Sequence, residues 1–309
     1  MIAVTVTNPS GPDSIEVLEL ADPVVGAGEV LVATEAATLN PADNALVNGA
    51  MAARFARRGF EPPFIPGWDL AGTVQAVGDG IDPALVGSQV LGFSPVFETG
   101  RGTQTGLVAL PVDQIAVASR TLPSHELTTF GLNGLTALHL VESAGDAATV
   151  LVTGAGGGVG KLAVELAIQA GKTVIASAAE RDRDELEATG ARFIARDVPD
   201  LGAAVRELIP RGVDAVLNTV PTGPVGLEAV RDGGSYRSVS VSPEPERDVD
   251  IARVGVHVDG PGLAEIVRLA EGGLITTRVA KTFPVTHATE AYRALSDGLS
   301  RAGKLVLVW

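Results

Sequence analysis

VLVTGAGGGVGKLAVELAIQAGKTVIASAAERDR occupies residues 150 to 183, and its reading decides the fold. The apolar run Val150 to Val152 feeds a glycine cluster, then a helical pattern, then a second apolar run from Thr173 to Ala178. That is the order of a βαβ unit whose turn binds phosphate. Ala155, Gly157 and Gly160 fall on the A-x-G-x-x-G form of the dinucleotide fingerprint. Glycine there lets the chain turn tightly, lets a pyrophosphate approach the main chain and lets the helix pack against its strand. Past the turn, Val159, Leu162, Ala163, Leu166 and Ala167 repeat at helical spacing, which leaves Lys161, Glu165 and Gln169 for a solvated face. Gly171 stands where the helix should stop. Gly156, Gly157, Gly158 and Val159 are the expected phosphate contacts, because a helix start offers unpaired amides and the positive end of its dipole.

Selection of the nucleotide falls at the end of the following strand. Proteins that choose NAD usually place Asp or Glu about 20 residues after the turn, against the ribose hydroxyls. Here Ala178 and Ala179 hold that corner, Ser177 can donate a hydrogen bond, and Arg181 and Arg183 follow. Such a set suits the 2′-phosphate of NADPH through charge-assisted contacts. Glu180 argues the other way, so NADH stays the competing reading and NADPH the favoured one.

Composition narrows the class. At 309 residues, with 46% hydrophobic and 19% charged residues, the chain has the make-up of a soluble globular protein with room for two domains. A net charge of −14 without a basic block opposes nucleic acid and anionic membranes as partners. There is no cysteine, which removes disulfides, thiol nucleophiles and thiolate metal sites together. The opening residues lack a charged leader and no 18-residue apolar run follows, so a cytoplasmic location is expected.

Along the chain, residues 1–120 read as β-rich: Ile2 to Thr7, Ile15 to Leu20, Glu29 to Ala37, Gly72 to Val77 and Ser88 to Phe93, separated by Gly, Pro and Asp turns. This spacing suits a partly open barrel or sandwich. A helical pattern runs from about 124 to 144. After the opening stretch, helix and strand signals alternate: helix Asp182 to Thr189, strand Phe193 to Ala195, helix Leu201 to Ile209, strand Val213 to Val220, helix Val225 to Arg231, strand Ser235 to Val241. Alternation of this kind argues a doubly wound parallel sheet. The tail adds helix Gly262 to Glu271, strand Arg278 to Phe283, helix Ala288 to Leu299 and strand Lys304 to Trp309.

Several segments together resemble one family. They are Gly28 to Val32 followed by Ala36-Ala37-Thr38-Leu39-Asn40-Pro41-Ala42-Asp43, then Pro66-Gly67-Trp68-Asp69-Leu70-Ala71-Gly72-Thr73-Val74, Gly134-Leu135-Thr136-Ala137, Gly154 to Gly160, and Gly303-Lys304-Leu305-Val306-Leu307. In this order they are similar to the zinc-free, quinone oxidoreductase-like branch of the medium-chain dehydrogenase/reductase superfamily. The resemblance implies an α/β architecture in which a doubly wound Rossmann domain, residues 121–259, is inserted into a β-rich GroES-like partly open barrel domain, residues 1–120 plus 260–309. It also implies a homodimer, and a small electrophilic substrate meeting the nicotinamide between the two domains.

The resemblance also frames the chemistry. Zinc-dependent relatives carry a histidine ligand where this chain has Trp68, and their further ligands are cysteines. His125, His139, His257 and His287 are scattered without paired spacing, whereas a catalytic zinc needs three protein ligands and an open position. No metal is expected. Hydride transfer to a quinone or an α,β-unsaturated carbonyl remains, since such acceptors are already electrophilic and need mainly positioning. Asn40 is the candidate amide beside the nicotinamide ribose or the substrate oxygen, and a turn former is its other reading. Asp43 either orients that loop or relays a proton. Many relatives have a tyrosine shortly after this loop; here Ala45 and Met51 stand there, and Tyr236 and Tyr292 lie far along the chain. Water is then the expected proton source. Thr136 on the junction helix either approaches the cofactor or packs the helix, Val220 ends a strand whose carboxyl end is where such folds bind ligands, and His257 is a further cofactor contact by resemblance. Met51, Trp68 and Phe93, with Phe55 and Phe97, are expected to line an apolar substrate pocket, with simple core packing as the alternative. Two functions stay open: an NADPH-dependent reductase, and a non-catalytic NADPH-binding sensor or structural protein that keeps the fold.

Overall fold

Strand Thr149–Thr153 is β-branched at every position but Leu151, and buried at all but its first. Such a run fits a strand covered on both faces. The computed structural model describes residues 1–221, 223–240, 243–244 and 247–309. It divides into one unit of Met1–Leu132, His257–Gly273 and Thr277–Trp309, and a second of Asn133–Val256 and Leu274–Thr276. In chain order the first unit supplies β1 (Ile2–Val6), β2 (Ile15–Glu19), β3 (Glu29–Leu39), β4 (Asp69–Val77), β5 (Gln89–Phe93), β6 (Leu107–Pro111) and β7 (Ile115–Ala118). The second supplies β8 (Thr149–Thr153), β9 (Thr173–Ala178), β10 (Arg192–Ala195), β11 (Val213–Asn218), β12 (Val230–Ser238) and β13 (Val249–Arg253), and the first resumes with β14 (Val279–Pro284) and β15 (Lys304–Val308).

The second unit is a parallel sheet of order β10-β9-β8-β11-β12-β13. The order reverses beside β8, and the carboxyl ends of the strands at that switch point form the crevice where open α/β sheets bind ligands. Leu151, Ile175, Val205, Val213, Val216 and Tyr236 form its core. In the first unit the 11-residue β3 is the organiser. Its end Ala36–Leu39 pairs antiparallel with β15, its start Glu29–Ala33 with β6, and its other edge with β4. Irregular register at Leu31/Val32 and Thr34/Ala36 bends it, as a bulged strand in a barrel-like sheet must bend. Val30, Val32, Leu70, Val74, Val90, Val108 and Leu110 fill the interior.

Three expectations need correction. Lys161 and Glu165 do not face solvent: they are 6% and 7% exposed, because the chain returns over that side of the Gly158–Gln169 helix at Leu274–Thr276. Glu165 accepts from the amide and hydroxyl of Thr276 at 2.9 and 2.8 Å, and Lys161 Nζ donates to Glu165 at 2.9 Å and to the Thr276 carbonyl at 3.1 Å. A charged pair at i, i+4 signals solvent only when nothing crosses it. The expected helix Val225 to Arg231 is a single 3-10 turn, Leu227–Ala229, followed directly by β12. Gly226, at φ 83°, breaks the chain just before that turn, and Val230 pairs with Val213. The strand expected over Ser235 to Val241 begins earlier and ends at Ser238, and Val241 lies outside the described residues. The sequence reading also passed over β6, β7 and β13, short runs that become strands through their neighbours.

Asp214 fastens β11 to β8. Its Oδ2 accepts from the amides of Ala148 and Thr149 at 3.1 and 2.9 Å and from the Thr149 hydroxyl at 2.8 Å, while Oδ1 accepts from Arg231 at 2.7 Å. Burial opposes the charge, but the bonds from Arg231 and Thr149 outweigh it and hold the carboxyl at about 2. Asp214→Ala removes the shared acceptor of the Ala148 and Thr149 amides and the partner of Arg231, and is expected to cost about 1–3 kcal/mol, read as a lower urea midpoint. The stabilisation is present above the unfolded carboxyl value of 3.8 and is lost as pH falls through the folded one. The variant's deficit should therefore shrink in acid. An unchanged deficit at pH 2 would contradict the charge-based account.

Candidate functional site

The glycine turn has the geometry of a phosphate cradle. Thr153 ends β8, Gly154 turns at φ 71°, and Ala155 N donates to the Ser177 carbonyl at 3.0 Å, so the turn is anchored on β9. Gly157 caps the Gly158–Gln169 helix without any side-chain hydrogen bond. The first amides of this helix have no intrahelical acceptors and are offered, with the dipole, to an anion. Gly157 and Gly158 are exposed, and Gly156 and Val159 half-buried. Side chains would close the cradle: a Cβ on Gly160 would lie 2.2 Å from the Gly154 carbonyl oxygen, and one on Gly156 would lie 2.2 Å from Asp182 Oδ2. The chain therefore fits a dinucleotide pyrophosphate at Gly156, Gly157, Gly158 and Val159.

Around the turn stand the other nucleotide candidates. Val220, half-buried at the end of β11, donates its amide to Asn218 Oδ1 at 3.2 Å, and Thr219 Oγ1 donates to the Thr153 carbonyl at 2.7 Å. Ser177 is 2% exposed, and its carbonyl is the anchor of the turn. The two arginines differ. Arg183 is held by both oxygens of Glu180 at 2.6 and 3.1 Å and by Glu187 at 3.1 Å, with its guanidinium 4.3 Å from the centre of the Phe193 ring. Arg181 is 67% exposed and only loosely paired, 3.8 Å from Asp182. Thr136 is half-buried on the Gly131–Glu142 helix, and His257 is exposed where the chain re-enters the first unit.

In the first unit, Asn40 is the centre of a buried polar cluster. It follows β3, is fully buried, donates from Nδ2 to Asp69 Oδ2 at 3.2 Å and accepts at Oδ1 from Lys304 Nζ at 2.5 Å. An ammonium can only donate and a carboxylate oxygen accepts, so the amide cannot flip. Asp43 closes the Asn40 loop: its oxygens accept from Asn40 N at 2.7 Å and from Gly67 N at 3.1 Å. Burial, with the Asp69 charge adding to it, pushes Asp43 up to about 7 despite those amides. Burial pushes the Lys304 ammonium down, while Asp69 and Asp43 pull it back. Tyr292 donates to Gln104 Oε1 at 2.8 Å beside this cluster, and its phenol is raised well above the usual range by burial and by Asp43.

Trp68 and Phe93 are 8% and 1% exposed. Trp68 packs edge-on to Phe97 at 4.7 Å and tilted against Phe93 at 6.2 Å, and fully buried Phe55 meets Phe60, Phe64 and Phe97. Met51, at the start of the Ala52–Arg57 helix, is half-buried. Arg54 and Arg58 both pair with Glu98 and fasten that helix to the Val96–Thr99 turn. Sequence reasoning passed over Asp69 and Lys304 as chemistry, although both lie in segments quoted for the resemblance. Two partners 235 residues and more apart along the chain gave no local pattern to find.

A parallel sheet with a glycine-rich phosphate turn at its switch point, joined to a bent β-sheet unit, defines a nicotinamide dinucleotide-dependent oxidoreductase. Residues 26–123 match the family described as alcohol dehydrogenase GroES-like domain, and residues 189–307 the one described as zinc-binding dehydrogenase. The chain is 28% identical to a chloroplastic quinone-oxidoreductase of Triphysaria versicolor, over 96% of this chain and 94% of that one. It is 30% identical to the protein named probable quinone oxidoreductase from Schizosaccharomyces pombe, over 74% of this chain and 68% of that one. The solved structure of an alcohol dehydrogenase superfamily protein from Novosphingobium aromaticivorans aligns with a TM-score of 0.86 at 28% identity, covering 100% of this chain and 99% of the other. The chain belongs to the medium-chain dehydrogenase/reductase superfamily and is similar to its quinone oxidoreductases. No helix among the described residues is long and apolar enough to cross a membrane.

Proposed function

We propose that this oxidoreductase uses NADPH, without zinc, to reduce a quinone or an α,β-unsaturated carbonyl compound. The observation that carries the reading is the environment of Trp68. Where zinc-dependent relatives hold a histidine ligand, this chain has an indole packed between Phe93 and Phe97, and no group of three metal-ligating side chains occurs among the described residues. Without a Lewis acid on a carbonyl, an acceptor that is electrophilic by conjugation is the one that needs only positioning.

When bound, the nicotinamide cofactor supplies the hydride. The chain's own part is to hold and orient. Gly156, Gly157, Gly158 and Val159 bind the pyrophosphate, with Val220 beside the turn and Thr136 and His257 as further contacts. Arg181 is the cation open to the 2′-phosphate, since Arg183 is engaged by Glu180 and Glu187 and Ser177 is buried. Asn40 acts as an amide of fixed orientation, and Asp43 as the clasp of its loop. Phe97, the half-buried member of the aromatic cluster that Trp68 and Phe93 support, and half-buried Met51 meet the acceptor. The proton that completes the reduction comes from water.

Anaerobic mixing with NADPH and a panel of quinones and enones tests the reading through loss of reduced nicotinamide absorbance. Tight NADPH binding with no turnover on any acceptor would instead support a binding protein. Arg181→Ala removes one charge-assisted contact of about 1.5–3 kcal/mol, so NADPH affinity should fall roughly 10- to 100-fold with NADH affinity unchanged. Equal loss for both cofactors would remove Arg181 from this role.

A further inference from the structure

Asp69 is wholly buried, and its two oxygens are unequally served. Oδ2 accepts from Asn40 Nδ2 at 3.2 Å and from Leu132 N at 3.1 Å, whereas Oδ1 is buried without a hydrogen-bond partner. A buried carboxylate oxygen without a hydrogen-bond donor is costly. Asp43 differs, because each of its oxygens accepts an N–H. Lys304 is the one cation that acts on both acids. Two carboxylates with one ammonium would leave an uncompensated negative charge inside the unit.

We propose that Asp69 carries a proton on Oδ1 in the native protein, so that Asp43⁻, Lys304⁺ and neutral Asp69 form a charge-balanced set. The charged groups facing Asp69 are Asp43, from the segment after β3, and Lys304, from β15. The other elements against it bring no charge: the Thr38 amide of β3 points towards the carboxyl, Phe93 of β5 is its strand partner, Thr103 donates to its carbonyl at 2.8 Å, and Gly131 and Leu132 begin the adjoining helix. Tyr292 stays a neutral phenol. Burial pushes the Asp69 carboxyl up, with Lys304 and the surrounding donors pulling it back only in part. Asp43 is pushed up as well, and one proton serves the pair. Geometry seats it on Asp69, since a proton on either Asp43 oxygen would oppose an N–H that already points there.

The bound proton is a pH-sensitive latch on the strands that meet at Asn40. The unfolded carboxyl titrates near 3.8 and the folded one higher, so folding takes up a proton between those values. The stabilisation is complete below the unfolded value and is lost as pH rises through the folded one. Asp69→Asn, in the full chain, imitates the protonated acid. Difference infrared spectra in D2O, wild type minus D69N at pH 7, should show a protonated-carboxyl stretching band. That band should disappear in Asp43→Asn as well, because Asp69 then ionises opposite Lys304. The wild-type unfolding midpoint should fall as pH rises above the unfolded carboxyl value of 3.8, and that of D69N should stay level. These readouts need no cofactor, so they stand or fall apart from the proposed reaction. Absence of the band in wild type, its persistence in D43N, or a D69N slope equal to that of wild type would overturn the proposal. Should D69N fail to fold, the wild-type pH titration of the band and the D43N spectrum decide alone.

Discussion

Replacing Gly160 with alanine is expected to weaken nicotinamide dinucleotide binding about a hundredfold while the second unit stays folded. The added Cβ would sit 2.2 Å from the Gly154 carbonyl oxygen and 2.9 Å from Ala155 Cα. These are main-chain atoms, so no side-chain rotation relieves the clash. The Gly154 carbonyl is itself tied, accepting from Gly157 N at 2.9 Å and from the Thr219 hydroxyl at 3.3 Å. The helix start must therefore move off the turn, at an overpacking cost of about 1–3 kcal/mol, and the amides proposed for the pyrophosphate lose their common aim. A loss of about 2.7 kcal/mol in binding is a hundredfold change in Kd. Gly157→Ala is the control: its Cβ would approach the same oxygen only to 3.3 Å, and φ at Gly157 is −85°, open to any residue. Quenching of protein fluorescence by titrated cofactor reads both variants. A Gly160→Ala Kd within threefold of wild type would mean that the turn is not the pyrophosphate site.

The nucleotide half of the molecule was legible because its signals are local. Strand, glycine turn and helix lie within 34 residues of sequence, and each restricts the next. The same locality explains the errors. Lys161 and Glu165 carry the spacing of a solvated face, and only the distant Leu274–Thr276 segment makes them interior. Val225 to Arg231 has helical composition, but pairing with β11 wins over propensity. In the other unit the sequence marked Asn40 and Asp43 by their loop yet left their partners unread. Asp69 and Lys304 lie 29 and 264 residues from Asn40, and the register of β15 on β3 alone brings that lysine beneath the amide. Trp68 and Phe93 illustrate a second limit. Apolar residues look alike in sequence whether they line a pocket or fill a core, and here the stack buries both.

Lys304→Met is expected to destabilise the first unit by about 3–5 kcal/mol at pH 7, because it leaves buried acid without its cation. Methionine keeps the length and apolar stem of lysine, and neighbouring Leu305 and Leu307 are fully buried in the core, so packing is nearly conserved and the change isolates the charge. Asn40 loses the donor to its Oδ1, and with it the constraint that fixes the amide. The thermal midpoint should fall on the order of 10 °C, taking roughly 2–4 °C per kcal/mol for a domain of this size. The double variant Asp43→Asn, Lys304→Met removes one acid together with the cation. Near-neutrality returns, and more than half of the lost stability should come back, an interaction that a double-mutant cycle measures directly. If the double variant is no more stable than Lys304→Met alone, the loss is one of packing, and the cluster holds no net electrostatic energy. If recovery is seen, the C-terminal strand is held to the Asn40 loop by charge balance. Lys304 and Asp69 then set the orientation of an amide whose loop was visible in the sequence and whose fixation was not.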